Sequence, residues 1–233
     1  MGYLNQKKVM SVEVKNMKQD GLLDRLGGSL GERLPDGNIL MTPTTASFRR
    51  WEIDKDELVV LSPEGELVEG GAYKAAAAAP LFIDLFNKFP TVGAIAHSHC
   101  LYSLVFAAHG ISIPTVTNGA EILGDIPCII PKESDSEIKE KALLDENPSI
   151  VPSGFVQRHD VMAVNARLGP LVYENFKSRA CELERHGLAF TLYKHGLFVM
   201  ARHLKEATEN IQRIETSAKV SILGMQAKLD NAG

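Results

Sequence analysis

Short apolar runs of strand length alternate with longer helix-forming stretches along most of this chain. That alternation limits the fold more than any other feature, because strands and helices in turn must share one layered core. Residues 1–26 have a loose helical rhythm that Gly27, Gly28 and Gly31 interrupt. From Asn38 to Val68 the texture is strand-like: Ile39-Leu40-Met41 leads into Thr42-Pro43-Thr44, and Glu57 to Ser62 reads as a strand. Pro63-Glu64-Gly65-Glu66 then reads as a hairpin turn, so an antiparallel pair is expected. Residues 74–89 are strong helix formers with an apolar face of Leu81, Leu85 and Phe86, stopped at Phe89-Pro90. Val92 to His99 reads as a buried strand, and Leu101 to Ala108 as a helix with a glycine stop at Gly110.

Further on, Ile111–Pro114 and Ile126–Ile130 are short strand candidates. Lys132–Glu146 reads as an exposed helix and Asn147–Gly154 as a loop. A helix is predicted from about Pro170 to His186, proline suiting its first turn. Leu188–Met200 makes two short strands or one bent strand around His195-Gly196, and Leu204–Leu229 is a long final helix. With no linker in view, residues 1–233 read as one domain of α/β or α+β class.

Composition removes several function classes. At 45% hydrophobic and 23% charged residues the chain is ordinary globular protein. A formal charge of −4 gives no electrostatic reason to expect nucleic acid. No apolar run approaches the roughly 20 residues that span a bilayer, so no membrane partner is expected. The first 20 residues lack the apolar core of a signal peptide, and Cys100, Cys128 and Cys181 are too scattered for a disulfide framework. A reducing, cytoplasmic location is the expectation.

Ala96-His97-Ser98-His99 is the most informative tetrapeptide. On a strand, positions two apart share a face, about 6–7 Å apart along the backbone. Two neutral imidazoles converging from one face suit zinc, which takes nitrogen at about 2.0–2.1 Å. A lone His-x-His pair is more often a surface or core pair, but this one ends an apolar strand. Catalytic zinc usually keeps three protein ligands and an open position, so a third is needed. His109, His159, His186 and His203 lie near helix ends or loops, where caps and solvated side chains are usual. His195 follows an apolar run, precedes a glycine and is the best third ligand. Cys100 follows the pair, and alternation turns it away as a small buried apolar residue.

These motifs resemble the class II aldolase/adducin family, which contains zinc-dependent fuculose- and rhamnulose-phosphate aldolases and ribulose-phosphate 4-epimerase. The matching text is Gly27-Gly28, residues 37–44 (Gly-Asn-Ile-Leu-Met-Thr-Pro-Thr), residues 57–61 (Glu-Leu-Val-Val-Leu) and residues 69–74 (Glu-Gly-Gly-Ala-Tyr-Lys). It continues through residues 93–99 (Gly-Ala-Ile-Ala-His-Ser-His), Gly124-Asp125-Ile126-Pro127, Lys194-His195-Gly196 and the terminal helix. The resemblance implies a three-layer α/β/α fold with a central, mostly antiparallel sheet between helices. It implies one Zn2+ per chain on His97, His99 and His195, and a homotetramer with active sites at subunit interfaces. The implied chemistry is that of a lyase on a sugar or sugar phosphate: zinc polarises a ketose carbonyl and hydroxyl, stabilising an enediolate as a carbon–carbon bond breaks or forms. Ser29, Thr44, Thr45 and Lys74 fall where the substrate and its phosphate are held.

The departures from the family pattern are specific. Family enzymes typically follow the Tyr-Lys matched by Tyr73-Lys74 with Pro-Ser-Ser and then Glu or Asp. Here Ala76 and Ala77 replace the serines that help hold phosphate, and Ala78 replaces the acid. A methyl group neither accepts a proton nor binds zinc. Ser29 stands where an asparagine contact is usual, and Thr45 where glycine is common. Glu121, close to the position at which the epimerases carry a catalytic aspartate, and Tyr73 are the candidates for proton transfer. The readings are an aldolase, an epimerase or hydroxy-keto-acid dehydratase/decarboxylase of the same family, and a non-catalytic adducin-like assembly module.

Overall fold

The computed structural model describes residues 3–24, 27–71, 73–131 and 158–230, with side chains in the last stretch from residue 167 to residue 227. The helix and loop expected over 132–154 lie outside the described residues. Eight strands among the described residues form one sheet: β1 (Ser29–Arg33), β2 (Ile39–Met41), β3 (Val59–Leu61), β4 (Leu67–Glu69), β5 (Ala94–Ser98), β6 (Cys128–Ile129), β7 (Leu188–Leu192) and β8 (Gly196–Ala201). Their order is β4-β3-β2-β1-β5-β8-β7-β6. Neighbours pair antiparallel except β6 and β7, which run parallel. The helices among the described residues are α1 (Leu4–Gln19), α2 (Ala79–Lys88), α3 (Leu101–His109), α4 (Arg158–Phe176) and α5 (Leu204–Asp230).

Period-two alternation splits the inner strands between two cores, while β4 at the edge is exposed throughout. Leu30, Leu40, Val60, Ala94, Ala96, Leu197 and Val199 face Met10 and Val14 of α1, Phe106 of α3, and Ala207, Ile211 and Ile214 of α5. Ile39, Met41, Val59, Ile95, Phe190, Phe198 and Met200 face Leu81, Leu85 and Phe86 of α2, with Val172 and Phe176 of α4. The expected α/β class, with a mostly antiparallel sheet between helical layers, is what these contacts build.

Three element boundaries differ from expectation. The alanine run does not open α2, which begins at Ala79. Ala75 instead bridges Pro43, and the Ala76 amide donates to the Thr42 carbonyl at 3.0 Å. These backbone bonds outweigh alanine's helix propensity. Pro170 lies inside α4, which starts at Arg158, and Lys177–Glu184 forms a 3-10 helix rather than its continuation. Ser29–Arg33, read from its glycines as a break, is a central strand held by β2 and β5.

Candidate metal centre

β5 carries His97 on its α2/α4 face, and His99 follows one residue beyond the strand end. β8 runs antiparallel beside it, with His97 opposite Phe198 and Ser98 opposite Leu197, so the β7–β8 turn returns to the same end of the sheet. That turn presents His195. Its amide donates to the Leu192 carbonyl at 3.0 Å, and the Lys194 amide donates to the Ala107 carbonyl at 3.1 Å. Lys194 has φ 55, a left-handed conformation costly for a residue with a side chain. The end of β5 and a turn far from it in sequence therefore deliver three imidazoles to one place.

The ligand-capable nitrogens of His97, His99 and His195 all lie within 4.8 Å of one another. Ring centroids are 4.7, 4.9 and 5.5 Å apart. His97 Nε2 and His99 Nε2 are 3.0 Å apart. Nitrogens on a tetrahedral zinc at about 2.0–2.1 Å would be about 3.3–3.4 Å apart, so a small shift admits an ion. His97 is buried, whereas His99 and His195 keep part of their surface exposed, which leaves the cluster open on one side.

The protonation states suit a cation. His97 Nδ1 lies 3.0 Å from the Leu197 carbonyl, which can only accept, so Nδ1 carries the proton and Nε2 keeps its lone pair. Burial, then repulsion from His99 and His195, holds the His97 pKa well below the ordinary histidine value. Burial, then His99, pushes His195 down to about 3. Burial lowers His99, with the charge of Asp24 opposing it. Three neutral imidazoles with converging ring nitrogens form a zinc-competent donor set.

The support around the rings is tight. Phe198 stacks on His97 with centroids 3.9 Å apart and planes 8° apart, and Phe190 stacks behind Phe198 at 5.2 Å. A β-carbon on Gly196 would come within 2.6 Å of the Ser98 carbonyl and 2.8 Å of the His99 ring, so only hydrogen fits there. Gly27 closes on His99 in the same way, at 2.6 Å.

The other expected site residues are distributed less tightly. Ser29 pairs opposite His97 across β1 and β5, fully buried, and its hydroxyl finds no partner among the described residues. The Thr45 hydroxyl is likewise unpartnered among them. The Thr44 amide donates to the Lys74 carbonyl at 2.9 Å, joining two loops. Tyr73 and Lys74 line a cleft of about 470 Å³ with Leu61, Leu67, Ala79 and Ile83, a wall set without histidine. Glu121 is exposed on the 3-10 turn Glu121–Leu123, outside the histidine cluster. Ala76 and Ala78 are buried, and Ala78 directly precedes α2. Cys100 is buried as expected, its thiol pushed up to about 12 by burial and then by Glu215. Asp24, whose charge acts on His99, was not singled out in the sequence. Its only local signal is its place just before the Gly27-Gly28 pair.

A three-layer fold that gathers three neutral histidines at the end of a mostly antiparallel sheet defines a class of metal-competent α/β proteins. Residues 13–222 match the family described as the Class II Aldolase and Adducin N-terminal domain. The chain belongs to that family. It is 23% identical over 188 residues to an L-ribulose-5-phosphate 4-epimerase from Salmonella paratyphi C, covering 79% of this chain and 69% of the relative. Its fold resembles that of an L-fuculose 1-phosphate aldolase with a TM-score of 0.67 at 19% identity, covering 94% of this chain and 86% of the other. An l-fuculose-1-phosphate aldolase from Thermus thermophilus superposes with a TM-score of 0.62 at 19% identity, covering 96% and 94% of the two chains.

Proposed function

We propose that this chain is a zinc-dependent sugar-phosphate enzyme, acting as an aldolase-type lyase on a ketose phosphate. The observation that carries the reading is the convergence of His97, His99 and His195 with two Nε2 atoms 3.0 Å apart and one side open. These residues would hold one zinc per chain. When bound, zinc supplies Lewis-acid polarisation of neighbouring substrate oxygens. The Ser29 and Thr45 hydroxyls, buried without partners among the described residues, are available to hold substrate, with Thr44 and Lys74 on the adjoining loops. Tyr73 and Glu121 remain the proton-transfer candidates, and a cytoplasmic homotetramer with interface sites completes the proposal. The matched relative named as a 4-epimerase favours epimerisation of a sugar phosphate as the second reading. A purely structural module has no use for a preformed donor set of this kind.

Elemental analysis of the purified protein should give one zinc per chain, and a screen of ketose phosphates should show retro-aldol cleavage or epimerisation. The His97→Ala, His99→Ala, His195→Ala triple variant should lose both. Turnover should be low because Ala78 supplies no base, and loss of a general base typically costs about 10²–10⁴ in rate. Ala78→Glu should therefore raise turnover, whereas Ala76→Ser with Ala77→Ser should mainly lower KM for phosphorylated substrates. Stoichiometric zinc retained by the triple variant would sink the ligand assignment.

A further inference from the structure

The metal-capable cluster among the described residues holds three histidines and no acid. A zinc ion there would carry its full double charge into a partly buried site. One carboxylate is built in close by. Asp24 Oδ1 accepts from the Gly27 amide at 3.2 Å, and Gly27 is the residue pressed against the His99 ring. Carboxylate and imidazole thus flank the same glycine.

The segment that carries Asp24 is pinned from two sides. Trp51, itself buried, donates its indole N–H to the Asp24 carbonyl at 2.6 Å. The Ser98 hydroxyl, between the two histidines, donates to the Leu22 carbonyl and accepts from the Cys100 amide at 3.1 Å. The loop before β1 is therefore tied to the strand end it overlies. Asp24 keeps part of its surface exposed, as His99 does.

We infer that Asp24 is the positioning carboxylate of the metal centre: it ties Gly27 against the His99 ring and sets a negative charge beside the site that a divalent ion would take. The inference rests on the zinc reading above. Groups that orient a ligating histidine from outside the ligand set typically cost about 10–100-fold in metal affinity when removed. Here the same charge would also offset part of the ion's double charge.

Two substitutions separate this role from a purely structural one. Asp24→Asn keeps an oxygen for the Gly27 amide and removes only the charge, while Asp24→Ala removes both. Zinc affinity would be read by competition with a chromophoric chelator, and ligand geometry by the visible spectrum of the cobalt-substituted protein. About a tenfold loss is expected for Asp24→Asn and up to about 100-fold for Asp24→Ala, with the metal-free Asn variant melting where the parent does. Asp24→Asn binding zinc within twofold of the parent, or losing affinity only in step with a lowered melting temperature, overturns the inference and leaves the zinc reading standing. A parent protein that binds no zinc overturns both.

Discussion

A carboxylate oxygen buried without a partner lowers stability in a way that pH can switch off, and half-buried Glu32 on β1 carries one. Its Oε2 is buried and finds no hydrogen-bond partner among the described residues, and burial raises its pKa. Between the unfolded carboxyl value, about 4.3, and the higher folded value, the folded protein binds the proton more readily. Stability therefore falls as pH rises through that window, and the whole penalty is present above it. Glu32→Gln should be more stable than the parent at pH 7 by up to about 1 kcal/mol, or about 2–4 °C in Tm at this chain length. Parallel melts should converge below about pH 4, where both side chains are neutral. A constant difference across pH would assign the effect to packing instead. Legibility at this scale followed the physics of each residue. His97 and His99 were readable because strand periodicity fixes their shared side, and His195 because it borders an apolar run and a glycine. Glu32 and Asp24 were not, since their surroundings come from other segments.

Among the elements, α3 begins at Leu101, directly after the Cys100 that follows His99, so the start of that helix helps set where the ring points. Cys100 at the cap position gives no side-chain hydrogen bond, which leaves the first-turn amides to be satisfied elsewhere. Glu215 of α5 does this from across the layer. Its carboxylate accepts from the Tyr102 and Ser103 amides at 2.8 Å each and from the Ser103 hydroxyl at 2.7 Å. A negative group at a helix N-terminus also meets the positive end of the helix dipole. Glu215→Ala should cost about 2–3 kcal/mol in denaturant unfolding, with zinc affinity falling as well because the His99 anchor loosens. Unchanged affinity with lowered stability would show that α3 serves the core and not the site. This cross-layer cap was invisible in the sequence, where Glu215 is one of many charges on a long helix. By contrast α3, β5, the β7–β8 pair and α5 were readable, because apolar periodicity and a glycine stop act locally. The start of α2 and the strand β1 were not, because backbone bonds to neighbouring loops and strands decide them.

At the scale of the whole molecule, the described surface keeps apolar side chains on the segments that follow His99 and precede His195. Leu101 and Val105, one turn apart on α3, are 66% and 39% exposed, and Ile111, Ile130 and Tyr193 are 51%, 55% and 36% exposed. Ile130 and Tyr193 both approach Gly110 at the end of α3, and Tyr193 sits two residues before His195. Apolar patches of this kind on a folded chain often mark contact surfaces. A closed homo-oligomer that covers this region would set a subunit boundary next to the histidines. For the proposed homotetramer, light scattering at micromolar concentration should return four times the 25.5 kDa chain mass. Val105→Lys with Ile130→Lys should break the assembly, since burying two ammonium groups without partners costs several kcal/mol per interface. The dissociated protein should still bind one zinc per chain, because His97, His99 and His195 all come from the same chain. If a second subunit completes the substrate site and not the metal site, turnover should fall with mass. A parent chain that scatters as a monomer would remove the tetramer. Loss of zinc together with mass would move the metal centre itself to the boundary between subunits.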